Sequence, residues 1–145
     1  MLSKGASIIN LGNKIRNARG KQSQAYVAKV LTISVNTLSA YENNRSLPPL
    51  EIFKKICQIF NLSADILLEI NDISNTPSWS GKMLDYKLAN LRDQLEITQE
   101  EMATLLTISV STWTKYETGN RTPPLNRFQQ ICRTCRVSAD YLLGL

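Results

Sequence analysis

The most pointed chemical signal in the chain is Cys132-Arg-Thr-Cys135, a C-x-x-C pair. Two thiols at that spacing suit a zinc site or a redox couple. A structural zinc site needs four ligands, and the chain adds only Cys57 and no histidine. Both thiols also fall in an apolar pattern at helical spacing, where free cysteine packs as a small hydrophobe. Core packing is therefore expected, with no metal and no cofactor. There is no histidine for acid–base work, no glycine-rich phosphate loop, and no carboxylate pairing beyond what helix caps explain. The chain reads as a non-enzyme.

The elements around these residues belong to an ordinary globular composition, 43% hydrophobic and 20% charged over 145 residues. No apolar run approaches the roughly 18–20 residues that cross a bilayer. The opening MLSKGASIINLGNKIR has no apolar block before a cleavage site. A cytoplasmic protein without membrane association is expected. The net charge of +5 suits a polyanionic partner, although alone it discriminates little.

The chain repeats itself. Residues 31–70 align with 106–145 without a gap, and 19 of those 40 positions are identical, beginning with LTISV in both copies. Upstream, Leu11, Lys14, Ile15 and Arg19 pair with Leu84, Lys87, Leu88 and Arg92, so the first copy is two residues shorter before Ser23. Two copies of one unit are indicated, not a solenoid of short repeats.

Each copy reads as helices. Leu84, Leu88, Leu91 and Leu95 recur at helical spacing. Thr98-Gln-Glu-Glu101 has the form of a capping box that starts a short helix carrying Met102, Ala103 and Leu106. Ser109 caps a third helix from Val110 to about Thr118, and Gly119 stops it. Pro123-Pro124 marks the next start, and Leu125, Phe128, Ile131, Cys132 and Cys135 form one stripe. Ser138 caps a last short helix. The first copy follows the same plan, with caps at Ser23, Ser34 and Ser63 and a stripe of Leu50, Phe53, Ile56, Cys57 and Phe60. Between them NDISNTPSWSG, residues 71–81, is rich in turn formers, and its Trp79 is expected to dock on a domain.

The stretches TQEEMATLLTISVSTWTKYETGNRTPP and SQAYVAKVLTISVNTLSAYENNRSLPP closely resemble the phage-repressor and Cro-type (XRE) helix-turn-helix family. The resemblance runs from about Ser7 to Ile70 and from Lys82 to Leu145, and SADILL and SADYLLGL look like that family's fifth helix. It implies an all-α fold of two tandem five-helix lambda-repressor-like bundles joined by a short linker. Domain 1 would cover residues 1–70, the linker 71–81 and domain 2 82–145. It further implies that the third helix of each bundle enters the major groove of double-stranded DNA while the second crosses the backbone. The chain departs from the family in carrying Thr32 and Thr107 where a glycine is usual, and Asn44 in place of the glycine after helix 3.

Carried onto this sequence, the resemblance turns Ile33 and Leu38, and Ile108 and Trp113, inward. Val35, Asn36, Ser39 and Ala40 then face the groove in the first copy, and Val110, Ser111, Thr114 and Lys115 in the second. Asn36 suits bidentate pairing with adenine, Lys115 suits guanine acceptors, and Val35 and Val110 suit thymine methyls; packing of the valines on helix 2 is the competing reading. Gln24 and Gln99 open helix 2, where similar proteins set a glutamine against phosphate at the edge of the site. Thr37 and Thr112, with the loops Asn43-Asn44-Arg45 and Asn120-Arg121, are expected to hold phosphates and fix register. Glu42 and Glu117 match the family's helix-3 acids, which form a structural ion pair with a helix-1 arginine, here Arg19 and Arg92.

The expected function is a sequence-specific DNA-binding transcriptional regulator acting as a repressor. The alternative is a protein-interaction module, an antitoxin or anti-repressor, with reduced or no DNA binding. A homodimer and a partner protein both stay open, and the apolar tail Tyr141–Leu145 is either a contact surface or closes the core.

Overall fold

The computed structural model describes Ile8, residues 10–75, Pro77 and residues 83–145; Trp79, Ser7 and Lys82 lie outside this set. The described residues form ten short helices and no strand. They divide into two units, Met1–Glu69 and Ile70–Leu145, the second repeating the helix plan of the first. No described helix is long and apolar enough to cross a membrane.

The first unit holds α1 (Leu11–Arg19), α2 (Gln24–Leu31), α3 (Val35–Glu42), α4 (Leu50–Phe60) and α5 (Ala64–Leu67). The second holds α6 (Leu84–Gln94), α7 (Gln99–Leu106), α8 (Val110–Thr118), α9 (Leu125–Cys135) and α10 (Ala139–Leu143). The two residues missing from the first copy account for the longer C-terminal end of α6, which runs past Arg92 to Gln94 while α1 stops at Arg19. Helices this short are marginal alone, so each is held by its caps and one buried face. Ser23, Ser34 and Ser63 cap α2, α3 and α5, and Ser109 and Ser138 cap α8 and α10, each accepting a backbone N–H. At α7 the full capping box forms, Thr98 and Glu101 each accepting the other's N–H.

The stripes on α4 and α9 supply much of the two cores. Phe53, Ile56 and Cys57 are buried in the first unit, and Leu125, Phe128, Ile131, Cys132 and Cys135 in the second; Phe60 is only half-buried. The cysteines are thus core residues, and burial pushes the Cys135 thiol up to about 11, leaving it protonated at neutral pH.

The turn LTISV works identically in both units. Thr32 and Thr107 take the left-handed conformation, φ 60° and 58°. Their N–H groups donate to Lys29 O and Thr104 O, and the next residues, Ile33 and Ile108, donate to Ala28 O and Ala103 O at 3.0 Å. This is a Schellman closure built without glycine. A left-handed residue carrying a β-branched side chain costs roughly 1–2 kcal/mol, so helix packing on either side must hold it there.

Asp72 and Asn75, ahead of α6, are attached to the second unit. Asn75 donates its N–H to Arg136 O at 2.9 Å and its Nδ2 to Cys135 O, and Asp72 pairs with Arg136 at 3.3 Å. These contacts satisfy carbonyls that the end of α9 leaves without helical partners. Of the two readings of the tail, the structure shows the one in which it closes the core. Leu142 and Leu143 are buried in their own unit, and Tyr141 O accepts from the buried Lys87 Nζ at 2.7 Å. The Lys87 ammonium also lies 4.7 Å from the Tyr141 ring centre. Of this tail, Leu145 is the only large apolar side chain left exposed.

Candidate nucleic-acid interface

Each candidate reading helix is fixed from behind by one carboxylate. Glu42, at the end of α3, is fully buried and accepts from Arg19 Nε at 2.7 Å and Nη2 at 2.9 Å, a bidentate fork from α1. Gln24 Nε2, from the start of α2, adds a third bond at 3.0 Å. Glu117 in α8 repeats this with Arg92 Nε at 2.5 Å and Gln99 Nε2 at 2.9 Å, and accepts also from the indole of Trp113. Burial alone would raise both carboxyls. The hydrogen bonds and the arginine charge outweigh it and hold Glu42 and Glu117 below the ordinary carboxylate range, while raising Arg19 and Arg92. Three helices of each unit are thereby tied at one point.

Ahead of that clamp, the start of α3 and α8 faces solvent. Leu38 and Trp113 are fully buried, whereas Val35 and Val110 are 42% and 39% exposed, which leaves them incompletely packed against α2 and α7. Asn36, Ser111 and Lys115 are exposed, and their side chains hydrogen-bond to no described residue. Ser39 and Ala40, and Thr114, are half-buried. Thr37 and Thr112 share their hydroxyls with the cap serines, Ser34 Oγ and Ser109 Oγ, at 2.8 Å. Arg45, Asn120 and Arg121 lie exposed in the loops after α3 and α8.

Other candidates are partly engaged. Gln24 and Gln99 each give one amide N–H to Glu42 and Glu117. Asn44 uses Oδ1 to accept Gly12 N–H at 2.9 Å, and Asn43 uses Nδ2 on Ser39 and Oδ1 on Arg16 Nη2 at 2.7 Å. Arg16 was not singled out by the sequence. Its side chain is 47% exposed, beside Asn43 and 3.8 Å from Glu42, which adds a basic group to this edge of the first unit. The available signal was a cation one turn before Arg19 with no counterpart in the second copy, where Ala89 stands.

Comparison with known proteins agrees with this geometry. A helix-turn-helix family matches residues 14–67, and a helix-turn-helix domain family matches residues 87–142. The uncharacterized HTH-type transcriptional regulator YobD of Bacillus subtilis (strain 168) is 36% identical over 59 residues, covering 41% of this chain and 53% of YobD. The HTH-type transcriptional regulator ImmR of the same organism is 29% identical over 90 residues, 59% of this chain and 71% of ImmR. The matched part thus spans about half the length of the first relative. No solved structure matches. With two bundles built on one plan, each holding a capped helix pair and each matched separately, the chain belongs to the XRE-like helix-turn-helix proteins and carries the domain twice.

Proposed function

We propose that the chain is a sequence-specific double-stranded DNA-binding transcriptional regulator that represses by steric occlusion of its operator. α3 and α8 enter the major groove, and their N-terminal residues meet base edges. One observation carries this reading: in both units the outer face of that helix keeps exposed polar or basic side chains without a partner among the described residues, Asn36 in the first and Ser111 and Lys115 in the second. Arg45 and Arg121 flank the same faces and supply phosphate contacts.

The test is selection of bound sequences from a random DNA pool, followed by anisotropy at two salt concentrations. Steep weakening with salt is expected from counterion release. Lys115→Ala should relax base preference, and Arg121→Ala should weaken all sequences about equally. The exposed apolar Val35 and Val110 support a second reading, an antitoxin or anti-repressor whose α3 or α8 face meets a protein. Absence of binding to any DNA at low salt would favour it.

A further inference from the structure

The amide that opens the second helix of each unit has its orientation set by chemistry. A carboxylate only accepts hydrogen bonds, so the atom facing Glu42 or Glu117 must be the Nε2 donor of Gln24 or Gln99. What remains of each side chain is its second Nε2–H and its carbonyl oxygen, Oε1. A DNA phosphate also offers only acceptors, so Oε1 has nothing to exchange with it. Phosphate has a use for the second N–H of Gln24 alone, and the oxygen is left for a donor.

From this common arrangement the units diverge. In the second, Thr114 Oγ1 donates to Gln99 Oε1 at 3.3 Å. The equivalent position in the first is Ser39, whose Oγ accepts from Asn43 Nδ2 at 3.1 Å. Asn43 is steered into that contact by Arg16, which donates to its Oδ1. The second unit has Thr118 in place of Asn43, and its hydroxyl turns back to Thr114 O and Lys115 O. No described residue donates to Gln24 Oε1, and Gln24 as a whole is half-buried at the start of α2.

In the major groove, the hydrogen-bond donors of the bases are the exocyclic amino groups, N6 of adenine and N4 of cytosine. We infer that Gln24 is a base-reading residue of the first unit, accepting through Oε1 from an adenine or cytosine amino group at the edge of its site. Gln99 is by contrast a positioning residue, its oxygen held by Thr114. This rests on the DNA-binding reading proposed above and makes the two units unequal readers.

The experiment uses the full chain and the sequence selected from the random pool. Adenines are replaced one at a time by purine, and cytosines by 2-pyrimidinone, which removes the amino group alone. One such replacement at the edge of the first unit's site is expected to weaken binding about fivefold, the worth of one hydrogen bond. That loss should vanish in Gln24→Ala, the signature of direct coupling. It should vanish also in the double variant Ser39→Thr, Asn43→Thr, which installs the second unit's residues around an intact Gln24 and leaves the Glu42 clamp untouched. Equal losses from every amino replacement in wild type and both variants would overturn the assignment. So would a loss in Gln24→Ala that is the same for every DNA sequence, which marks a contact to the backbone alone. Failure to select any DNA would instead remove the DNA-binding reading, and this inference with it.

Discussion

Glu42 in the first unit is held by Arg19 and Gln24, with Arg16 3.8 Å away; Glu117 in the second is held by Arg92, Gln99 and the indole of Trp113. The arginine and glutamine are common to both, while the third neighbour has changed side. Where α8 carries Trp113, α3 carries Leu38, and where α1 carries Arg16, α6 carries Ala89. A second exchange runs alongside. Gly12 of α1 lies so close to α3 that a Cβ there would come within 2.5 Å of Tyr41 O and Glu42 O, and Asn44 closes the gap with its side chain. The second unit has Asp85 and Gly119 at these places, and there it is the glycine, φ 77°, that makes room for the aspartate. The copies have kept the contact and exchanged which helix supplies the bulk. Residues at such places come in pairs, and moving one member alone between copies should fail.

The clamp should give the largest effect. Glu42→Ala or Glu117→Ala leaves an arginine without its buried partner and should destabilise by about 3–5 kcal/mol in urea denaturation. The second unit should lose more, since Trp113 is stranded too, and equal losses would break the comparison. The same pairs set an acid limit. Because both folded carboxyls lie below their ordinary value of 4.5, their contribution is complete above that pH and is lost as pH falls through the depressed folded values. In a Trp79→Phe background, Trp113 emission should report that loss for the second unit alone.

Gly12→Ala comes next, at about 2–3 kcal/mol, because the added methyl meets backbone that has nowhere to move. Asp85→Ala, at the matching place, should cost under about 1 kcal/mol. Amide hydrogen exchange in α1 and α3 against α6 and α8 separates the two. The smallest effect has the opposite sign. Thr32→Gly and Thr107→Gly relieve a left-handed threonine while loosening the unfolded chain, so each should stabilise by up to about 1 kcal/mol. The two units should respond alike, since here their geometry is the same; a gain in only one would show that the turns are held differently.

What the sequence disclosed follows the range of the forces involved. Ser34, Ser109 and the Thr98–Glu101 box were legible because a cap is chemistry between residues three apart. The all-α plan was legible because apolar stripes at helical spacing must bury against each other. The hydrogen bonding of Gln24 was not, since it depends on an acid 18 positions away and on whether position 39 is Ser or Thr. Asn75 read as linker material because turn formers say nothing of a bridge to Val137, which only the packed end of α9 creates. Asn44 likewise read as a loop residue, and nothing local signalled that its Oδ1 accepts the Gly12 N–H 32 positions away.

The threonines of the LTISV turn bear on how either unit would meet a ligand. A joint that keeps a β-branched residue left-handed has no slack to bend further, and the acid clamp ties the far end of the same helix to its two neighbours. Each helix pair is therefore a finished tool before anything is bound. If α3 and α8 are the reading helices proposed above, association would proceed as a rigid insertion, with no ordering entropy drawn from them.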